Sequence, residues 1–297
     1  MPGAPSRAVA IVNPATRGNV ARIVELLTLA APRSTLLEVH ETEHAGHARE
    51  IARVHAPGAD LLIAVGGDGT VAEVAGVARE TGIAVGIVPG GSTNIIAREL
   101  GIPTNLYRAT RLLFGDHAVR TIDAGLCGDR TFLHMAGAGI DSLLFDLTDP
   151  VLKQRVGWMA YLPAAVKALR RPLSTFTVRA EECCLEGVRS PLVLVANGPS
   201  IIAPRLQLDT RIRFDDGRLD VLVVTATRPL ELARVLARIA TRQMMNSPFV
   251  TSFTTASVEI VAEPEIAVQL DGDAVLKTPV RFTVDPGSVR IVTPRGH

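Results

Sequence analysis

The sequence predicts two parts. The first is an α/β domain over residues 1–121, a parallel sheet with helices on both faces. The second is a β-rich, antiparallel, sandwich-like domain over residues 122–297. Three observations predict this. A length of 297 residues suits about two domains. Up to Thr121, continuous apolar runs alternate with helical patterns, as in parallel sheets buried on both faces. Beyond Thr121, closely spaced strand patterns dominate, with few helices.

In order, Ala8–Val12 is an apolar run that ends at Asn13-Pro14, a strand. Asn19–Ala30 places Val20, Ile23, Val24 and Leu27 at helical spacing. Leu36–His40 reads as a strand and Gly46–His55 as a helix. Leu61–Val65 is an apolar strand running into Gly66-Gly67-Asp68-Gly69-Thr70, and Val71–Arg79 continues as a helix. Ile83–Val88 is a strand ending at Pro89-Gly90-Gly91-Ser92-Thr93-Asn94. A helix over Ile95–Leu100 follows and stops at Gly101 and Pro103. Past the boundary, Ile122–Cys127 and Thr131–Met135 flank the hairpin signal Gly128-Asp129-Arg130. Strands are predicted at Leu173–Ala180, Pro191–Ala196, Leu219–Val224, Phe253–Val261, Ala267–Leu270, Val280–Val284 and Ser288–Val292. Helices are predicted near Val156–Arg170 and Pro229–Met245. A closing strand that packs the extreme C-terminus back on the first domain is compatible with this order, though no pattern demands it.

Composition removes several functions. With 31 basic and 30 acidic residues the net charge is +1, so no general basic field is available to hold nucleic acid. No apolar run approaches the roughly 18 residues of a membrane span, and Ala8–Val12 is too short for a signal core. Three cysteines, Cys127, Cys183 and Cys184, form neither a disulfide framework nor a metal-spacing motif. The expectation is a soluble, cytoplasmic chain. Its three lysines, Lys153, Lys167 and Lys277, follow no glycine-rich loop, which excludes a P-loop.

The two glycine-rich turns sit where a parallel strand gives way to a helix, the place where open α/β sheets bind ligands. Helix N-termini there offer unpaired N–H groups that suit phosphates. Gly66, Gly67 and Gly69 let the backbone approach a ligand closely. Asp68 would repel phosphates, so it makes sense as the holder of a divalent cation, a ribose hydroxyl or a transferable proton. Thr70 is a candidate helix cap. Gly90, Gly91, Ser92, Thr93 and Asn94 repeat the geometry without a charge. Any one such turn is as readily a tight connection with a capping residue. Two of them, with Asn13-Pro14 ending a third strand, argue for a site.

Asn13-Pro14 with Gly18, then Gly66–Thr70, then Pro89-Gly90-Gly91-Ser92-Thr93-Asn94-Ile95-Ile96-Ala97-Arg98, resembles the diacylglycerol kinase catalytic-domain family. That family includes bacterial diacylglycerol and related lipid kinases and the sphingosine and ceramide kinases. Ile122-Asp123-Ala124-Gly125, Gly137-Ala138-Gly139-Ile140-Asp141, Asp216-Gly217-Arg218-Leu219-Asp220-Val221 and Leu270-Asp271-Gly272-Asp273 look like its later motifs, in order. Gly-Gly-Asp-Gly-Thr alone also occurs in NAD kinases and phosphofructokinases, so only the ordered set is specific. The resemblance implies an NAD kinase/diacylglycerol kinase-like fold and transfer of the γ-phosphate of ATP, with Mg2+, to a lipid hydroxyl, diacylglycerol or a related alcohol. It implies that Asn13, Pro14, Arg17, Gly66, Gly67, Asp68, Gly69, Thr70, Gly90, Gly91, Ser92, Thr93 and Asn94 line the nucleotide. Asp68 would be the essential acid near Mg2+ or the phosphates. Asp273, with Asp271, stands where the family carries a candidate base. Asp68, Asp123, Asp216 and Asp220 are the metal candidates, the last two matching a second, structural Mg2+ site.

The chain departs from the family at Ile95, where many members have Asp, at Asp273, where they have Glu, and at Asn19, where some have Lys and Arg17 is the substitute. An NAD kinase-like small-molecule kinase and a catalytically impaired nucleotide- or lipid-binding regulator are the alternatives. The implied partner is a lipid at a membrane surface, visited peripherally; Arg170, Arg171, Arg205, Arg211 and Arg213 read as ordinary solvated surface before a patch for anionic headgroups. Trp158, Met159, Tyr161 and Leu162 read as core before membrane contact. A homodimer is left open. His40, His44 and His47, with Glu43 and Glu50, read as a solvated helix start before a metal site.

Overall fold

The computed structural model describes residues 5–16, 19–139, 173–201 and 203–296. It divides into two units, Met1–Ala124 with Pro286–His297, and Gly125–Asp285.

In the first unit the strands are β1 (Arg7–Val12), β2 (Leu36–Glu41), β3 (Leu61–Gly66) and β4 (Ala84–Pro89). They are parallel, in the order β2-β1-β3-β4. The helices are α1 (Val20–Ala30), α2 (His47–His55), α3 (Asp68–Thr81), α4 (Ile95–Glu99) and α5 (Leu106–Phe114). Polar caps set two of them. Asn19 accepts from the Ala21 N–H at 2.8 Å and Asn105 from the Arg108 N–H at 3.1 Å, satisfying donors that a helix start leaves unpaired. Gly82 ends α3 in a left-handed conformation, φ +73°.

Successive strand residues point to opposite faces, and both faces are apolar. Ala8, Ala10 and Val12 pack with Ile23 and Leu27 of α1 and with Ala109 and Leu113 of α5. On the other face α2 packs against β1 and α3, and α3 against β3 and β4. The sequence reading lacks α5, although its buried residues Ala109, Thr110 and Leu113 stand at helical spacing.

The second unit is a two-sheet sandwich. One sheet contains β8 (Ser174–Ala180), β9 (Cys184–Ser190), β15 (Ser257–Glu263) and the start of β18 (Val280–Thr293). The other runs β14-β13-β10-β7-β16-β17. Here β7 is Met135–Gly139, β10 Leu192–Ala196, β13 Leu219–Val224, β14 Val250–Thr255, β16 Ala267–Leu270 and β17 Asp273–Lys277. The hairpin is built from β5 (Ala118–Cys127) and β6 (Arg130–Phe132), and β11 (Ser200–Ile201) pairs with β12 (Ala203–Gln207).

Phe132, Phe176 and Phe282 fill the space between the sheets with Val193, Val195, Val221 and Val223. Leu192, Leu194, Leu222 and Val224 point the other way, into a second core beneath α6 (Pro229–Ala240).

Four sequence expectations change. Thr131–Met135 is not one strand: β6 ends at Phe132 and β7 begins at Met135, with the turn held by Asp271 between them. Phe253–Val261 is not one strand: at Ala256 the chain leaves one sheet and enters the other. The sequence does not mark this corner because Thr254-Thr255-Ala256-Ser257 holds neither the glycine nor the proline that usually punctuates a break. Val280–Val284 and Ser288–Val292 are one strand, although Pro286-Gly287 signals a break. Gly287 takes φ +56° and donates its N–H to Asp123 Oδ1 at 2.7 Å, which holds the irregular turn within the strand. The helix predicted to Met245 ends at Ala240, with a 3-10 turn at Met244–Asn246. The helix predicted at 156–170, with Trp158 to Leu162, lies outside the described residues.

Candidate functional site

The strand order places a topological switch between β1 and β3, because the chain leaves β1 for β2 on one side and returns to β3 on the other. Ligands of open α/β sheets bind outside the carboxyl ends of the strands at such a point. Val12 pairs with Val65, and Gly66 with Pro89, so Asn13, Gly67 and Gly90 emerge side by side. The Asn13 N–H donates to Val65 O at 2.9 Å and the Gly90 N–H to Gly66 O at 2.8 Å. Asn13 Oδ1 accepts the Ala15 N–H at 2.9 Å and turns the chain back at exposed Pro14. Arg17 lies outside the described residues.

The two glycine-rich turns touch. A Cβ on Gly91 would lie 2.6 Å from Gly67 Cα, backbone against backbone. A Cβ on Gly66 would strike the Thr70 side chain at 2.5 Å, and one on Gly90 would strike Thr16 Cβ at 2.6 Å. Three of these glycines are therefore demanded by packing: Gly91 by the first turn, Gly66 by Thr70 of its own turn and Gly90 by Thr16 of the segment after β1. At Gly67 the nearest atom would be at an ordinary 3.4 Å, so that glycine is not explained by crowding. Gly67 caps α3, and Val71 is the first residue of the helix to donate back, to Gly67 O at 3.1 Å. The N–H groups of Asp68, Gly69 and Thr70 precede it and by helix geometry lack intrahelical acceptors. Thr70 is thus within the first turn and is not the cap; its Oγ1 accepts weakly from Asn13 Nδ2 at 3.4 Å.

Asp68 has a task the sequence did not disclose. Its Oδ1 accepts the Ile96 N–H at 3.1 Å, so the first turn holds the start of α4 beyond the second. Burial pushes the carboxyl pKa up, and the N–H groups of Ile96, Ile95 and Asn94 pull against that rise. Asn94, left-handed at φ +49°, closes its own turn: its Oδ1 accepts from the Gly91 N–H at 2.9 Å and its Nδ2 donates to Gly91 O at 2.8 Å. That amide is committed, whereas among the described residues the Ser92 and Thr93 hydroxyls meet only each other, at 3.4 Å. Thr16, absent from the sequence-based set, lies against Gly90 with a buried hydroxyl lacking a partner among the described residues. Its place in an irregular turn carries no periodic signal. Asp123 is buried, and one oxygen is engaged by Gly287.

The remaining candidates belong to the second unit. Asp271 spends its carboxylate on three successive backbone donors, Leu133 N–H at 2.8 Å and His134 and Met135 N–H at 2.9 Å each. This makes Asp271 the organiser of the turn before β7. Asp273 opens β17, stays exposed as a residue, and has a carboxyl pushed up by partial loss of solvent. Asp220 is 2% exposed, its Oδ2 has no partner among the described residues, and burial with the Asp216 and Asp209 charges raises its pKa to about 7. An orphaned, buried oxygen facing acidic neighbours suits a hard cation. Asp216 accepts the Arg218 N–H at 3.0 Å and is exposed. Arg211 and Arg213 are paired with Asp209 and Asp215, at 2.8 and 3.1 Å, so neither is a free cation for headgroups. Arg170, Arg171 and the Arg205 side chain lie outside the description.

Comparison with known proteins agrees with this geometry. Residues 7–127 match the family "Diacylglycerol kinase catalytic domain", and residues 135–293 match "YegS C-terminal NAD kinase beta sandwich-like domain". A protein of Chromohalobacter salexigens named "Probable lipid kinase YegS-like" is 31% identical over 268 residues, 88% of this chain and 85% of that protein. A protein of the same name from Pseudomonas aeruginosa is 32% identical over 269 residues, with 88% and 85% covered. The chain spans 55% of the length of another relative, "Uncharacterized protein sll0036" of Synechocystis, at 28% identity and 80% of this chain. A crystal structure of a diacylglycerol kinase from Bacillus anthracis str. Sterne shares the fold, with TM-score 0.73, 22% identity and 98% of each chain covered. The chain belongs to the diacylglycerol kinase catalytic-domain family, among the lipid kinases whose second domain is a YegS-type β sandwich.

Proposed function

We propose that this kinase transfers the γ-phosphoryl group of ATP to the hydroxyl of a lipid alcohol, diacylglycerol or a close relative, in the presence of Mg2+. The observation that carries the reading is the pair of abutting turns at the β1/β3 switch point, with Asp68 bridging them. Phosphoryl transfer asks a protein mainly for positioning and for groups that meet spread negative charge. The N–H groups of Gly67, Gly69 and Thr70, the Ser92 and Thr93 hydroxyls and the orphaned Thr16 hydroxyl are donors of that kind. Asn13, Pro14, Gly66, Gly90, Gly91 and Asn94 shape the cradle, and Arg17 adds a cation to the same segment.

Mg2+ supplies charge neutralisation of the phosphates when bound. Asp68 is the residue of the first unit that would hold it, and Asp216 with Asp220 is the set for a structural ion in the second. Asp123 is the weaker ligand because Gly287 already engages it. Asp273 is the base for the acceptor hydroxyl: it starts a strand, stays accessible and has a raised pKa, which suits proton uptake. Asp271, occupied by three N–H groups, supports it.

No helix among the described residues is long and apolar enough to cross a membrane. A peripheral visit to a cytoplasmic membrane surface suits the substrate. Exposed Leu230 (66%), with exposed Arg234 and Arg238 following at intervals of four on α6, supports it.

The experiment is ATP consumption with dispersed diacylglycerol and other lipid alcohols, with products identified by mass spectrometry. The expected result is a phosphorylated lipid from the native chain and a loss of about 10²–10⁴ in turnover for Asp68→Asn. Turnover without lipid but with NAD, or an unchanged rate in Asp68→Asn, overturns the reading.

A further inference from the structure

The outer edge of the first unit carries a cluster that shares no residue with the glycine-rich turns. β2 is the edge strand of its sheet, and Glu38 and His40 point to the same side of it. His55, at the end of α2, meets them there. Glu38 Oε2 lies 3.7 Å from His40 Nε2 and 3.4 Å from His55 Nδ1. The three ligand atoms lie within 4.8 Å of one another. The two imidazoles face each other, with centroids 3.9 Å apart and a tilt of 33°.

We propose that Glu38, His40 and His55 bind one Zn2+, or a transition-metal ion of the same type, with water completing the coordination.

Three observations support the assignment. The separations of 3.4 and 3.7 Å are long for hydrogen bonds, which centre near 2.9 Å. They suit donors sharing one small ion, because two ligands bound tetrahedrally at about 2.0–2.1 Å stand about 3.3 Å apart. His40 Nε2 is buried and has no partner among the described residues, so a lone pair is free for a metal. Arg7 fixes the carboxylate: its Nε donates to Oε1 at 2.7 Å and its Nη2 to Oε2 at 3.2 Å. It also donates through Nη1 to Pro57 O at 2.7 Å, just past His55. Arg7 thereby ties the edge strand to the end of α2 and aims Oε2 at both rings. The side chains of Glu38, His40 and His55 keep 28%, 30% and 26% exposure, enough for an ion to enter.

The neighbouring group His44, His47 and Glu50 is a weaker set. His47 Nδ1 already accepts the Glu43 N–H at 3.0 Å, so the proton sits on its other nitrogen and no free lone pair is left. The proposed site is independent of the kinase reading.

The test is titration of the metal-free full chain with Zn2+ against a chromophoric chelator at neutral pH. Expected is one equivalent bound, with a weakening of about 30-fold or more in His40→Asn and in His55→Asn, in line with loss of a ligand. His44→Asn/His47→Asn should bind as the native chain does. Co2+ should give the visible absorption of a four-coordinate nitrogen–oxygen site, lost in His55→Asn. Saturating Zn2+ should raise the Tm of the native chain by about 5 °C, because the ion binds the folded state alone. Circular dichroism of the metal-free variants separates ligand loss from misfolding, and Glu38→Gln, which keeps the side chain's shape, gives an independent third variant. Absence of stoichiometric binding, binding unchanged in both single histidine variants, or binding that follows His44 and His47 overturns the proposal.

Discussion

At the scale of single residues, the carboxylates of the motifs divide by what already holds them. Asp271 accepts three N–H groups, and the Asp273 carboxylate accepts none among the described residues. Asp271→Ala should destabilise the second unit by about 3–5 kcal/mol, because three buried donors lose their acceptor at once. Chemical denaturation measures this. Asp273→Asn should leave stability and KM near native values and lower kcat by about 10²–10⁴ if Asp273 takes the proton. Equal losses in both variants would mean that Asp273 acts through the fold. Asp68 belongs to both groups: it accepts from Ile96, yet remains the one acid of the paired turns.

At the scale of elements, glycines that look alike in sequence answer to different demands. Gly91→Ala sets a methyl against Gly67 Cα and should cost about 1–3 kcal/mol, with the turns forced apart. Gly67→Ala finds ordinary contact distance in the fold and should cost under about 1 kcal/mol. If the Gly67 backbone touches phosphate, nucleotide affinity falls at least tenfold in both variants. Thermal unfolding and nucleotide titration together separate the two causes. A Cβ on Gly125 would lie within the Phe132 ring's place, so the glycine of Asp123-Ala124-Gly125 serves sandwich packing.

At the scale of the whole molecule, two buried groups tilt stability with pH in opposite directions. His134 is fully enclosed, its Nε2 has no partner among the described residues, and burial drives its pKa down to about 3. The unfolded chain takes up this proton first, so stability falls as pH drops below about 6.5, by at most about 1.4 kcal/mol per unit. Asp220, raised to about 7, binds a proton in the fold that the unfolded chain has released. Its contribution therefore falls as pH rises between about 4 and 7, with the same limiting slope. His134→Gln should remove the acid-side loss, and Asp220→Asn the loss on the neutral side. Denaturant titrations from pH 4 to 8 read both slopes. Millimolar Mg2+ should stabilise the native chain at pH 7 and leave Asp220→Asn unmoved.

The sequence by itself determined the parallel α/β architecture of the first part, the sandwich of the second and the lipid kinase family. Those follow from local patterns: apolar runs, helical spacing and glycine-rich turns in a fixed order. It also placed Asp68, Gly67 and Gly91 in turns, because a strand ending in glycines before a helix start is a local event. Only the tertiary structure decided which carboxylates are free. Asp271 and Leu133 are 138 residues apart, and Asp68 meets Ile96 across 28. His55 joins Glu38 and His40 only because parallel pairing aligns β2 beside β1, where Arg7 reaches both the Glu38 carboxylate and the backbone at the end of α2. Such meetings depend on strand order and register, which are set by how whole apolar faces pack and leave no trace in the spacing of the residues concerned.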